Sequence, residues 1–481
     1  MTEQVTLPVW LFVILLLLAL WAALDRLLLP AVRWFFRRRV NRVIREIGVR
    51  LNIELPQFKL TRREVLIDRL FHDPRVQEAV EHEARERDVP RAELLACVDR
   101  YAREIVPSFN AYLYFRVGYW LGKNLAKLLY RVRLGYTDTG AIAAVNPKSS
   151  IVFVMNHRSN MDYVLVAFLA AERVALSYAV GEWARIWPLQ QLIRSMGAYF
   201  VRRNSGDPLY RMVLQRYVQM ATAAGVPQAL YPEGGLSVDG KLRPPKLGLL
   251  DYMLKAFDPH GERDLVFIPV GINYDRVLED RTLLRKLAVS APRRGAFYAV
   301  AKALAFVANN LSLMATGRWY RFGYACVNFG RPISMRAYVA ERSLDFGKLQ
   351  AADRHREVER VAGLVMAEVA RIIPVLPVSL VASVFVRSAD AALSELQLKS
   401  EVYGLIRLLE GVGAHIYVPR GDLDYAVGVG LRMLTLRRIV QEEQGLYRVN
   451  PADGAVIAYY AHAIAPLIAA AQRRQPLEAA A

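Results

Sequence analysis

Cysteine is nearly absent: Cys97 and Cys326 are the two in 481 residues. They rule out a disulfide framework and show neither metal-ligand nor redox spacing, which points to a reducing compartment. Histidine is also sparse, with seven residues and no ligand spacing among them, so no metal site is expected. Acidic residues are outnumbered, 45 against 64 lysines and arginines, giving a formal net charge of +19. Such an excess in a chain of positive mean hydropathy suits an anionic membrane surface and speaks against a nucleic-acid binder. Internal repeats are missing as well. Met1 to Gln4 carry no base, and no Ala-x-Ala pattern closes the apolar run that follows. Both absences argue against a cleaved signal peptide.

What is there begins with that run. Thr6 to Leu24 has no charge and is dominated by Leu, Val, Ile and Trp. With Leu27 to Leu29 and Ala31-Val32 it reaches the roughly 20 residues a spanning helix needs. Trp10 and Trp21 suit the two interfaces, and Arg33, Arg37, Arg38, Arg39, Arg42 and Arg45 all follow the span. The expectation is a transmembrane anchor over residues 1–32 with the rest of the chain cytoplasmic. A buried core helix is the alternative.

Residues 33–136 read as a helical region, with Asp73-Pro74 as a helix start. Within it, Ala111 to Leu134 is aromatic and apolar, punctuated by Arg116, Lys123, Lys127, Arg131 and Arg133. That composition fits a core helix or an amphipathic helix on a bilayer, and both stay open. Thr137 to Ser150 marks a boundary. Over residues 150–335 short apolar runs alternate with helical patterns, which predicts an α/β domain with a largely parallel sheet. Ile151–Met155, Val226–Tyr231 and Leu265–Asn273 are its best strands, while Arg281 to Arg321 is basic, apolar and membrane-compatible. Residues 336–481 read as mostly helical, broken at Pro374 and Pro377.

Directly after Ile151–Met155 come Asn156, His157, Arg158, Ser159, Asn160, Met161 and Asp162. A polar, ionisable turn at a strand end is a common place for catalysis. The pairing alone proves little, since seven histidines yield ~0.4 chance partners at this spacing. Five residues along a helix is about 140° of rotation, so His157 must sit in a turn before the helix for the two to meet. Ser159-x-x-Asp162 also has the form of a capping box, and this competing role is compatible with the first.

Three further stretches matter. Gly197-Ala198-Tyr199-Phe200-Val201 ends in Arg202 and Arg203, a planar anion site or a solvated basic edge. Tyr231-Pro232-Glu233-Gly234-Gly235 pairs a carboxylate with close backbone approach, and an ordinary turn is the alternative. Val266 to Gly271 is a strand interrupted by Pro269, which demotes it to an edge or a bulge.

In this order the four stretches resemble the glycerol-phosphate acyltransferase superfamily. That family carries a His-x-x-x-x-Asp block, an aromatic-Arg block, a Glu-Gly-Gly block and a strand with a proline. The bacterial membrane-bound glycerol-3-phosphate acyltransferases and their dihydroxyacetone-phosphate relatives are the more similar subgroup. His157-Arg158-Ser159, Glu233-Gly234-Gly235 with Pro244-Pro245-Lys246, Val327-Asn328-Phe329-Gly330, Pro377-Val378-Ser379 and Ala458-Tyr459-Tyr460 carry that likeness. The subgroup has basic residues where this chain has Leu236 and Val238.

The resemblance implies an α/β acyltransferase domain flanked by helical regions. It implies transfer of a fatty acyl group from acyl-CoA or acyl carrier protein to the hydroxyl of glycerol-3-phosphate, at the cell inner membrane and among membrane phospholipids. His157 would be the general base and Asp162 its orienting acid. Arg158, Ser159, Arg202, Arg203, Glu233, Gly234, Gly235 and Lys246 would bind substrate. No cofactor is implied. Lysophosphatidate and dihydroxyacetone phosphate are alternative acceptors, and a non-catalytic lipid-binding protein or a hydrolase of the same fold are alternative functions.

Overall fold

The structure, a computed structural model, describes residues 56–170, 175–181, 189–202, 205–287, 321–388 and 391–478. The expected anchor over 1–32, most of the basic stretch from Arg281 to Arg321, and Arg203 lie outside the described residues.

At the centre is a sheet of eight strands: β1 (Arg131–Thr137), β2 (Ser150–Met155), β3 (Ser177–Val180), β4 (Tyr199–Phe200), β5 (Gln228–Leu230), β6 (Leu265–Tyr274), β7 (Tyr324–Phe329) and β8 (Ile333–Ser334). Their order is β1-β7-β6-β2-β5-β3-β4, with β8 beside β6. Pairing is parallel except where β6 meets β7 and β8. The sequence-predicted strands are thus β2, β5 and β6.

Both faces of the sheet are covered, which is why its strands are continuously apolar rather than alternating with polar residues. Successive side chains of β2 go to opposite faces. Val152 and Val154 pack with helices α1 (Arg63–Phe71), α2 (Pro74–Arg87), α3 (Arg91–Ile105), α6 (Pro208–Ala223), α7 (Gly248–Lys255) and α9 (Ala351–Arg371). Phe153 and Met155 face α4 (Tyr119–Leu129), α5 (Met161–Ala170) and the C-terminal helices α10 (Pro377–Arg387), α11 (Glu395–Glu410) and α12 (Leu423–Leu436). Each fully buried Val, Leu or Phe side chain contributes about 1.5–3 kcal/mol to this core. Asp73 accepts the Arg75 N–H at 3.1 Å and starts α2 as its sequence predicts.

Two expectations need correction. Pro269 neither bulges β6 nor places it at an edge, since β6 runs unbroken between β2 and β7. Its carbonyl accepts the Gly330 N–H at 2.9 Å, so its ring nitrogen faces the gap where β6 changes partner from β8 to β7. No ladder bond is required there. Arg131 to Thr137, grouped by composition with the helical region, is strand β1, paired with β7.

The C-terminal region also holds a small antiparallel sheet of β9 (Leu393–Ser394), β10 (Val440–Glu443) and β11 (Leu446–Val449). Helix α8 (Asp280–Arg285) leads away from β6. Near the C-terminus, α13 (Gly454–Ala461) and most of α14 (Ala465–Glu478) form an apolar run from Pro451 to Arg474. That run is long and apolar enough to cross a membrane by length and composition alone, and half of its most apolar window is buried against the protein.

Candidate active site

The carboxyl ends of the parallel strands β2, β3, β4 and β5 open on one edge of the sheet, the usual crevice of an α/β fold. After β2 the chain stays non-helical from Asn156 to Ser159 and enters α5 at Met161. This is the geometry that lets His157 and Asp162 meet. His157 Nδ1 lies 2.9 Å from Asp162 Oδ2, with Asp162 fully buried and His157 3% exposed. The same carboxylate oxygen accepts the backbone N–H of Arg158 at 2.7 Å and of Ser159 at 3.0 Å. Its other oxygen accepts the Tyr274 hydroxyl at 2.5 Å. An ionised carboxylate only accepts, so His157 carries its proton on Nδ1 and presents Nε2 as the basic nitrogen.

Ser159 is a cap and is wholly buried. Its Oγ accepts the Met161 N–H at 3.1 Å and donates to Glu279 at 2.8 Å. Asp162 supplies the reach-back half of the capping box through the Ser159 N–H.

Glu233, buried after β5, ties two loops to the histidine. One oxygen accepts the His157 N–H at 2.8 Å and the other the Arg243 N–H at 3.0 Å. Burial pushes its pKa up to about 7, against the pull of those two N–H donors. Gly234 follows with φ +66°, and a Cβ there would meet Lys246 Cδ at 2.7 Å. Lys246 therefore crosses directly over the Gly-Gly turn. At Gly240, a Cβ would strike the Tyr459 carbonyl at 2.0 Å, so the C-terminal region rests on this loop.

A cavity of about 300 Å³ stands over the histidine. His157, Gly234, Gly235, Lys246 and Arg202 line it, together with Arg211, which sequence reasoning missed. Arg202 is partly engaged: its Nε and Nη2 bond Glu104 at 2.9 and 2.6 Å, between the rings of Tyr101 and Tyr210. Its Nη1 has no hydrogen-bond partner among the described residues. Arg158, Ser159 and Glu233 do not line this cavity. Arg158 is buried, donating from Nη1 to the Gly240 carbonyl at 2.9 Å and stacking over Tyr459.

A second cavity of about 230 Å³ is almost wholly apolar, lined by Tyr119, Leu121, Gly122 and Leu125 of α4 and by Val164 and Ala167 of α5. Tyr163 and Val180 border both cavities. Tyr231 lies against the His157 imidazole, centroids 4.2 Å apart and ring planes tilted by 32°, and its buried hydroxyl has no partner among the described residues. Leu236 and Val238 pack against the core. Among the described residues no group of three or more His, Cys, Asp or Glu side chains is placed to hold a metal ion.

Comparison with known proteins follows this layout. Residues 139–273 match the Acyltransferase family, and residues 311–470 match the glycerol-3-phosphate acyltransferase C-terminal region. The glycerol-3-phosphate acyltransferase of Pseudomonas entomophila is 25% identical over 419 residues, covering 83% of this chain and 48% of that protein. That of Alteromonas mediterranea is 26% identical over 364 residues, covering 73% of this chain and 43% of its own length. The chain thus spans about half the length of the curated relatives it matches. Among solved structures, the 1-acyl-sn-glycerophosphate (LPA) acyltransferase from Thermotoga maritima is 17% identical, covers 53% of this chain and 80% of that one, and has a TM-score of 0.28.

Proposed function

Because this chain belongs to the glycerol-3-phosphate acyltransferase family, we propose that it moves a fatty acyl group from a thioester to a hydroxyl of glycerol-3-phosphate. The observation that carries this is the position of His157, oriented by Asp162 beneath a cation-lined cavity that adjoins an apolar one.

The acceptor occupies the first cavity, its phosphate facing Lys246, Arg211 and the N–H groups of Arg202 that Glu104 does not engage. The acyl chain of the donor, acyl-CoA or acyl carrier protein, lies in the second. His157 Nε2 takes the hydroxyl proton as the oxygen attacks the thioester carbon. Asp162 stabilises the imidazolium. The tetrahedral adduct collapses by breaking the carbon–sulfur bond, and the thiolate leaves and takes the proton. No enzyme nucleophile is required, because the acceptor attacks directly. Holding both substrates against the imidazole supplies several kcal/mol of the barrier lowering.

The reaction is placed at the inner membrane, with residues 1–32 as a single-pass anchor and the site on the cytoplasmic side. The outer face of α4 and the turn before it supports this, with Trp120 64% exposed and Val117, Leu121, Leu125 and Leu128 alongside it. No acidic residue occurs between Glu104 and Asp138, which favours an anionic lipid surface.

The test is direct. Purified protein is incubated with labelled acyl-CoA or acyl carrier protein and, separately, glycerol-3-phosphate, dihydroxyacetone phosphate and lysophosphatidate. Acylated glycerol-3-phosphate as the dominant product is expected. A different acylated acceptor replaces the substrate assignment, free fatty acid makes the protein a hydrolase, and no turnover makes it a lipid-binding protein.

A further inference from the structure

Glu279 is not required by the chemistry above, yet it grips the catalytic turn. It stands at the N-cap of α8, but its side chain makes no capping bond to that helix. Both oxygens are turned to the loop between His157 and Asp162. Oε2 accepts the Ser159 hydroxyl at 2.8 Å. Oε1 accepts Asn160 Nδ2 at 3.0 Å and the Asn160 backbone N–H at 3.2 Å. Asp162 gathers the turn's N–H groups from the inside, while Glu279 holds its outer side.

The segment carrying Glu279 is itself fixed. Tyr274, five residues earlier, donates to Asp162. The Val277 N–H donates to the Tyr460 hydroxyl at 3.1 Å. Asp280 Oδ2 accepts Arg437 Nη2 at 2.6 Å and the Tyr460 hydroxyl at 2.5 Å. Arg437 and Tyr460 belong to the C-terminal region. A carboxylate between two anchored neighbours, spending all its resolved contacts on three donors of one turn, has the geometry of a brace.

We propose that Glu279 is a positioning residue for His157, holding the catalytic turn in the conformation in which Asp162 fixes the imidazole tautomer. The inference rests on the proposed acyl transfer for its kinetic consequence but not for its structural one. Without the brace, Ser159 and Asn160 lose their outer contacts, and the turn relaxes around the Asp162 carboxylate. A displacement near 1 Å at a reacting atom costs about a hundredfold in rate.

Full-length Glu279→Ala, Glu279→Gln and Glu279→Asp proteins are compared with wild type. The readouts are kcat, KM for acceptor and thioester, and 15N-histidine NMR of His157, assigned by the spectrum of a His157 substitution. Glu279→Ala is expected to lower kcat about 10- to 100-fold with each KM within about twofold. It should also mix the His157 tautomers, which the wild-type Asp162 contact keeps protonated on Nδ1. Glutamine keeps an acceptor for Asn160 and a donor for Ser159, so it should restore most of the rate and the single tautomer. Aspartate withdraws the carboxylate by about 1.5 Å and should reproduce the loss, deciding the matter if the alanine protein does not fold. A folded Glu279→Ala or Glu279→Asp protein with wild-type kcat, or with an unchanged His157 spectrum, overturns the proposal. If wild type transfers no acyl group, the proposed reaction falls, and the NMR comparison still judges Glu279.

Discussion

Removing the His157 imidazole takes away the basic nitrogen that faces the cavity, while the backbone anchors around it persist. The His157 N–H still reaches Glu233, and its carbonyl still accepts the Ser237 N–H. His157→Ala should therefore fold, keep its circular dichroism spectrum, and lose about 10²- to 10⁴-fold in kcat. Retention of the wild-type rate would remove the general-base role. Glu233 supports a different experiment. Its pKa is raised by burial from 4.5 to about 7, so between those values the folded protein holds a proton that the unfolded chain has released. Stability from this group is then lost as pH rises through that window, by roughly 3 kcal/mol at most. Asp275, also pushed up to about 7 by burial, contributes equally to wild type and to Glu233→Gln, and cancels in their difference. Urea unfolding from pH 4.5 to 8 should show wild type losing more stability than Glu233→Gln. Parallel curves would place the carboxyl in its ordinary range.

Elements decide which residues meet, and here local sequence was informative only in part. The turn after β2 was legible because an apolar β-branched run ends abruptly in polar residues, and rotation along a helix forces His157 out of α5. Tyr274 and Glu279 were not, because they approach Asp162 and Ser159 from 112 and 120 positions away and carry no local signature. The contacts of Arg158 with Gly240 and Tyr459 were hidden by the same limit, since those partners lie 82 and 301 positions away. The apolar cavity between α4 and α5 likewise arises only from packing. Ala167 lines it, so Ala167→Leu adds methyl groups into empty space rather than into a filled core. Each excluded methylene is worth about 1–3 kcal/mol in discrimination. The variant should lower kcat/KM for long-chain donors at least about tenfold relative to short ones, with the acceptor KM unchanged. An unchanged chain-length profile would place the acyl group elsewhere.

For the molecule as a whole, the central sheet draws strands from both matched stretches, residues 139–273 and residues 311–470. Strand β7, inside the stretch that matches the C-terminal region of the family, lies between β1 and β6. Its residues Ala325 and Val327 are buried in the same core as Ile268 and Ile272 of β6. Strand β8 covers another part of β6. The helices that follow complete both faces, with α9 under β2 and β6 and α10 against α12 and α13. Sequence periodicity could not announce this, since strand order is a property of long-range pairing. The two matched stretches therefore fold as one unit. A chain ended at residue 310 keeps the complete His157 turn and the Glu233 loop, yet strips β1 of its partner and leaves the buried β6 with a bare edge. It also removes Arg437 and Tyr460, the two side chains that bond the Asp280 carboxylate. The expected outcome is an aggregated or molten fragment by size-exclusion chromatography and near-UV circular dichroism, whereas the intact chain unfolds in a single transition. A monodisperse fragment with a sharp thermal transition would mean that the α/β part closes its sheet without β7, and that the C-terminal region is an attachment to the site rather than part of its frame.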